Sequence, residues 1–197
     1  AHLAEDVTAF VAIADALREA GVSTPEILAE DLHQGLLIIE DFGDRVLGPE
    51  VQRGADHKSL WLRATDTLIA LQAVPPPRHM PLSDGTDFTL PDADEGVLEI
   101  EAQLLLDWYW PALHGSPAPE AARDEFTDEW RRIFERVLKQ PPSWLLRDYH
   151  SPNLIALDDR APPRDVGLID FQDALRGPAA YDLVSLLQDA RVDVPEA

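Results

Sequence analysis

The stretch LLRDYHSPNLIAL, residues 145–157, sets Asp148 and Asn153 five positions apart within an apolar run. A second apolar run, VGLID, ends on Asp170, 22 residues beyond Asp148. An acid and an amide on one loop can converge with an acid on a neighbouring strand end around a single cation. Mg²⁺ suits such a set, because it takes oxygen ligands and keeps waters and substrate phosphates for its remaining positions. Asn153 and Asp170 are the ligands this pattern offers, which leaves Asp148 to accept a proton from a hydroxyl nucleophile. Asp, Ser, Pro and Asn are also ordinary turn formers, and any one of these positions alone reads as a turn. Their combination between apolar strands favours a site.

The elements that must carry these residues can be read from periodicity. Leu3, Val7, Phe10, Val11, Ala14 and Leu17 recur at helical spacing over residues 1–20, and Gly21 is a natural stop. EILAED and GLLIIE read as two strands around a turn at Asp31–Gln34, followed by a DFGD loop. A second helix begins near Asp56, buries Leu60, Trp61, Ala64, Leu68 and Leu71, and is ended by the prolines at 75–77. Residues 78–91 read as a loop rich in Pro and Asp. Asp92 and Glu95 resemble a capping box for a helix through VLEIEAQLLLDWYW. Another amphipathic helix spans roughly 120–139, with Phe126, Trp130, Ile133, Phe134 and Val137 on one side. SWLLR, LIAL and VGLID are three short strands, and a last helix opens at Pro178. The order predicts an α+β fold dominated by helix.

Composition narrows the chemistry. The 197 residues are 45% hydrophobic, enough for a sizeable core. A net charge of −21 repels phosphate backbones and anionic lipid, so neither nucleic acid nor a membrane surface is an expected partner. The same charge would suit a cationic substrate, although acidic surfaces commonly serve solubility alone. With no cysteine, disulfides, thiolate metal sites and Cys nucleophiles are excluded. No segment approaches the roughly 20 apolar residues of a membrane span, and neither end reads as an export signal, so the expected location is cytoplasmic.

A D-x-x-x-x-N loop followed by a strand ending in Asp-Phe is the arrangement of kinase catalytic and metal-binding loops. LRDYHSPNL together with GLIDFQDALRGPAAYDLVSLLQDARV resembles the aminoglycoside phosphotransferase and choline kinase superfamily, which has a protein-kinase-like fold. The longer match, including GLLIIEDFGD and LLLDWYWPAL, resembles the bacterial sugar kinases of cell-wall recycling. Those enzymes use ATP to phosphorylate the anomeric hydroxyl of N-acetylmuramate and N-acetylglucosamine. The resemblance implies a small-molecule kinase with ATP and Mg²⁺ as cofactors and an amino sugar as substrate. It makes Asp148 the catalytic base and Asn153 and Asp170 the metal ligands. His150 matches a histidine that shapes this loop, and Asp182 would brace the loop from the last helix. Ile39, Glu40, Asp41 and Phe42 match the hinge whose backbone binds adenine. Asp173 could assist the metal or cap the following turn. The implied division is a partial small lobe over 1–41 and a helical large lobe over 42–197.

The sequence also departs from the family. Leu146 stands where related kinases often carry His. No Gly-rich loop and no strand Lys precede the first helix, and Glu5 is the candidate partner for such a Lys. The family normally continues beyond the last helix, so the chain reads as part of a longer protein, and 1–197 alone is expected not to turn over ATP. Within DWYW, Trp108 could form a sugar-stacking wall, with burial in the core as the favoured alternative. An aminoglycoside-type kinase and a non-catalytic kinase-like binding module are the competing readings.

Overall fold

The structure, a computed structural model, describes residues 7–194. Glu5, the expected lysine partner, lies outside the described residues. Helix α1 (Thr8–Glu19) buries Val11, Ile13, Ala14 and Leu17, close to the face its spacing predicted. It stops before Gly21, whose φ of 95° is cheap only for glycine. Strands β1 (Ile27–Asp31) and β2 (Leu36–Ile39) pair antiparallel, with Asp31 opposite Leu36. Leu28, Leu36 and Ile38 on this hairpin are each more than half exposed.

Two bridges join this region to the rest of the molecule. The Leu168 N–H donates to the Ser23 carbonyl at 2.8 Å, and the Ala156 N–H donates to Arg45 at 2.9 Å. Short helix α2 (Leu47–Gln52) follows the loop, and sequence reading missed it because Gly48 and Pro49 argue against helix. Both fall in its first turn, where proline's missing N–H costs nothing. Helix α3 (His57–Gln72) buries all five predicted apolar residues, and Trp61 Nε1 donates to the Leu186 carbonyl at 3.1 Å.

The segment predicted as a loop at 78–91 instead contains a hairpin, β3 (His79–Pro81) with β4 (Asp87–Thr89). Its strands are three residues each, too short for alternation to register. Helix α4 (Glu95–Leu104) is capped by Asp94, whose carboxylate accepts from the Val97 N–H at 2.9 Å; the expected Asp92 cap is corrected by two residues. Asp92 instead pairs with Arg78 and Arg176. One π turn, Leu105–Tyr109, links α4 to α5 (Trp110–His114), and α6 is Glu120–Val137.

Strand β5 (Ser143–Leu145) pairs with β8 (Leu175–Gly177), a strand the sequence did not reveal, and β6 (Leu154–Ala156) pairs with β7 (Val166–Leu168). Helix α7 (Ala180–Leu187) begins two residues after Pro178, later than expected. One core joins α1 to the helical region: Ile13, Leu17, Leu60, Trp61, Leu68, Tyr149, Leu154 and Phe171 are all buried within it. Each such side chain contributes about 1.5–3 kcal/mol. α1 packs against the β3–β4 hairpin and shares this core with Trp144, Leu154, Leu168 and Phe171.

Candidate active site

Buried strands β5, β6 and β7 deliver three polar residues to one edge. β5 ends at Leu145, the chain turns through Leu146–His150, and a 3₁₀ turn over Ser151–Asn153 leads into β6. The Ile169 N–H donates to the Asn153 carbonyl at 3.1 Å, which holds the end of β7 against this turn. Asp148, Asn153 and Asp170 therefore line one crevice with Leu154, Leu168 and Phe171. Its volume is about 10 Å³, room for no more than a water, so larger groups must sit at its open side.

The amide of Asn153 is the centre of the cluster. Its Nδ2 donates to the Asp148 carbonyl at 3.1 Å and stands 3.4 Å from Asp170 Oδ2. With Nδ2 committed, Oδ1 is the atom left to serve a cation. Gln172 Nε2 donates to Asp170 Oδ1 at 2.7 Å, so a residue not singled out from sequence orients the second acid. An amide oxygen and one carboxylate fit Mg²⁺, which is commonly held by one or two carboxylates and completed by water and phosphate. No cluster of three His, Cys, Asp or Glu suited to a metal exists among the described residues, so a closed protein cage is not offered there.

Two non-glycine residues here have left-handed backbone, Arg147 at φ 69° and Asp170 at φ 60°. Such conformations cost on the order of 1–3 kcal/mol each and persist where neighbours over-determine them. Asp182 is the neighbour for the first: its carboxylate accepts from the Leu146 N–H at 2.7 Å and the Arg147 N–H at 3.0 Å. Burial pushes the Asp182 carboxyl up to about 7, the two N–H donors pull it down, and the Asp148 charge adds to the rise. The far end of the loop is held by Asp189, which accepts from both the backbone N–H and the hydroxyl of Ser151. Sequence reading missed Asp189. It lies just past the end of α7, in a segment whose periodicity gives no signal.

His150 is buried, with Nε2 at 3.4 Å from Asp148 Oδ1. The Tyr149 hydroxyl donates to the Ala64 carbonyl at 2.7 Å and anchors the loop on α3. Asp173 is exposed and makes no hydrogen bond among the described residues. At the segment expected to form the hinge, Ile39 ends β2, and the Glu40 N–H donates to the Glu26 carbonyl at 2.8 Å. Asp41 accepts from the Gly43 N–H at 2.7 Å. Among the described residues, the N–H groups of Asp41 and Phe42 meet no hydrogen-bond partner. The Phe42 ring lies on Gly167 of β7, and the Arg160 guanidinium sits 5.1 Å from its centroid.

Trp108 is 75% exposed, on the π turn, and Tyr109 beside it is also exposed. The core reading of DWYW is therefore corrected. An extra residue in the π turn rotates these aromatics off the apolar stripe, and Leu106 takes the buried position instead.

N-acetylmuramate/N-acetylglucosamine kinase of Caulobacter vibrioides is 35% identical over 185 residues, covering 94% of this chain and 50% of that enzyme. Its namesake in Pseudomonas aeruginosa is 38% identical over 196 residues, covering 98% of this chain and 52% of the relative. The chain thus spans about half the length of the curated relatives it matches. Among solved structures, the GDP complex of aminoglycoside 2'-phosphotransferase-IIIa superposes with a TM-score of 0.59 at 18% identity, over 94% of this chain and 62% of that one. A choline/ethanolamine kinase family protein from Mesorhizobium loti gives 0.58 at 15% identity, over 98% of this chain and 57% of that one. These likenesses establish a protein-kinase-like fold, mostly the helical large lobe with part of the small lobe. A sequence model of the APH phosphotransferase enzyme family matches residues 1–197, and the chain belongs to that family.

Proposed function

We propose that this chain carries the catalytic lobe of an ATP-dependent kinase that phosphorylates the anomeric hydroxyl of N-acetylmuramate or N-acetylglucosamine. The observation that carries the reading is the Asn153 amide, which spans the Asp148 carbonyl and the Asp170 carboxylate. The names of the Caulobacter and Pseudomonas relatives supply the sugar. In this reading residues 1–41 belong to the small lobe and 42–197 to the large one, and ATP as donor places the enzyme in the cytoplasm.

Asp148, exposed at the crevice mouth, accepts the proton of the sugar hydroxyl as that oxygen attacks the γ-phosphorus, and ADP departs. Asn153 Oδ1 and the Asp170 carboxylate would hold Mg²⁺, which would offset the negative charge of the transferring phosphoryl group. The N–H groups of Asp41 and Phe42, without a partner among the described residues, meet the adenine edge. His150, 3.4 Å from Asp148, and Asp182, bonded to the loop backbone, keep the base in place. Trp108, outward-facing on its turn, is the candidate sugar-stacking wall.

A second reading, an aminoglycoside kinase, is favoured by the net charge of −21, which attracts polycations. The test is phosphate transfer by the full-length protein from γ-labelled ATP to N-acetylmuramate, N-acetylglucosamine and kanamycin, with phosphorus–carbon coupling in the product to locate the ester. Transfer to the anomeric oxygen of the amino sugars is expected. Transfer to kanamycin alone favours the second reading, and ATP turnover with no acceptor phosphorylated rejects both.

A further inference from the structure

Arg147 sits at the centre of a three-residue turn closed by the Asp148 N–H on the Leu146 carbonyl at 2.9 Å. Its φ of 69° gives this turn the strained hand, which is rare for any side chain and needs outside support. Asp182 restrains the amides on the near side of the turn. The Arg147 side chain meets a different carboxylate. Its Nε and Nη2 donate to Glu101 Oε1 at 3.0 and 2.7 Å, and the other Glu101 oxygen accepts the Tyr181 hydroxyl.

Arg147 and Glu101 are about 31% and 25% exposed, so water screens this pair less than it would a surface pair. Burial opposes the guanidinium charge, but Glu101, with smaller contributions from Asp173 and Tyr181, outweighs it and raises the Arg147 pKa. Glu101 comes from α4, 46 residues before Arg147, and its other partner precedes Asp182 on α7. Two helices therefore meet at the residue before the base.

We propose that Glu101 is a positioning residue for Asp148: it fixes the Arg147 side chain, Arg147 holds the strained turn, and the turn aims the Asp148 carboxylate. This rests on Asp148 being the base of the proposed kinase. Removing Glu101 leaves the metal ligands and the hinge untouched, so the loss falls on the chemical step and not on nucleotide binding.

The experiment compares Glu101→Ala, Arg147→Gly and the double variant in the full-length protein, with N-acetylglucosamine as acceptor. Glycine takes positive φ without strain, so Arg147→Gly keeps the fold while cutting the tether. Each single variant is expected to lose roughly 10- to 100-fold in kcat, the scale of an ångström-sized misplacement, with the KM for ATP unchanged within about twofold. The double variant should lose no more than the worse single, because both changes remove one contact. Normal kcat in Glu101→Ala overturns the proposal, as do losses that multiply in the double variant or that track a collapse of Tm. A wild-type protein that transfers no phosphate overturns the underlying function and this inference with it. An active wild type with an unaffected Glu101→Ala overturns this inference alone.

Discussion

The Phe10 ring of α1 stacks on the Phe171 ring that follows Asp170, with centroids 4.9 Å apart and planes 29° from parallel. The first helix thereby touches the residue next to the proposed metal ligand. Asp170 is held in a left-handed conformation, so the buried ring beside it is one of the groups that keeps it there.

Phe10→Ala should lower stability by about 1–3 kcal/mol, combining lost apolar contact with lost stacking. It should also raise the Mg²⁺ concentration needed for half-maximal turnover. Denaturant unfolding of the chain and a Mg²⁺ titration of the full-length protein read the two effects. An unchanged Mg²⁺ requirement would show that α1 supports the fold without supporting the metal loop.

Asp148→Asn should reduce kcat by about 10²–10⁴-fold, the range of general-base assistance. The side chain is half exposed and its main neighbour is His150, so the folding midpoint should move little. A variant with near-normal turnover removes Asp148 from the role of base.

Gly167 stands where the proposed hinge meets the strands: a Cβ built there would lie 2.5 Å from Phe42 Cδ2 and 2.7 Å from Cε2. Gly167→Ala must therefore push the ring away and with it the hinge backbone at Asp41 and Phe42. The KM for ATP should rise several-fold while kcat at saturating ATP holds, as steady-state kinetics would reveal. A drop in kcat at constant KM would place the effect at the base, not the hinge.

The long elements were legible from periodicity alone. α1 and α3 each present an apolar face of several turns, and the acids of the proposed catalytic loop stand out against buried strands. What escaped reading was short or set by distant partners. β8 is three residues with Arg176 at its centre, and nothing local distinguishes it from a loop until Leu145 lies beside it. Trp108 looks like a core residue until the π turn shifts its face. Glu101, Gln172 and Asp189 are ordinary surface acids and amides in sequence. They become parts of the site only when folding brings them to Arg147, Asp170 and Ser151.

Asp182 gives the site a pH dependence whose sign can be worked out. Its carboxyl is 1% exposed, and burial is the main cause of its rise from the ordinary 3.8 to about 7. Between those values the folded protein holds a proton there that the unfolded chain has released. Stability from this group is then fully present below about pH 4 and is lost as pH rises through about 7. Other carboxylates titrate as well, so the useful quantity is the difference in unfolding free energy between wild type and Asp182→Asn. The asparagine keeps one acceptor oxygen but turns an NH₂ group toward the second loop N–H, so the variant should be less stable throughout. The wild-type advantage should be larger at pH 5 than at pH 8, measured by denaturant midpoints at matched ionic strength. An advantage that grows with pH would mean that the two N–H donors of Leu146 and Arg147 outweigh burial and keep Asp182 ionised in the folded protein.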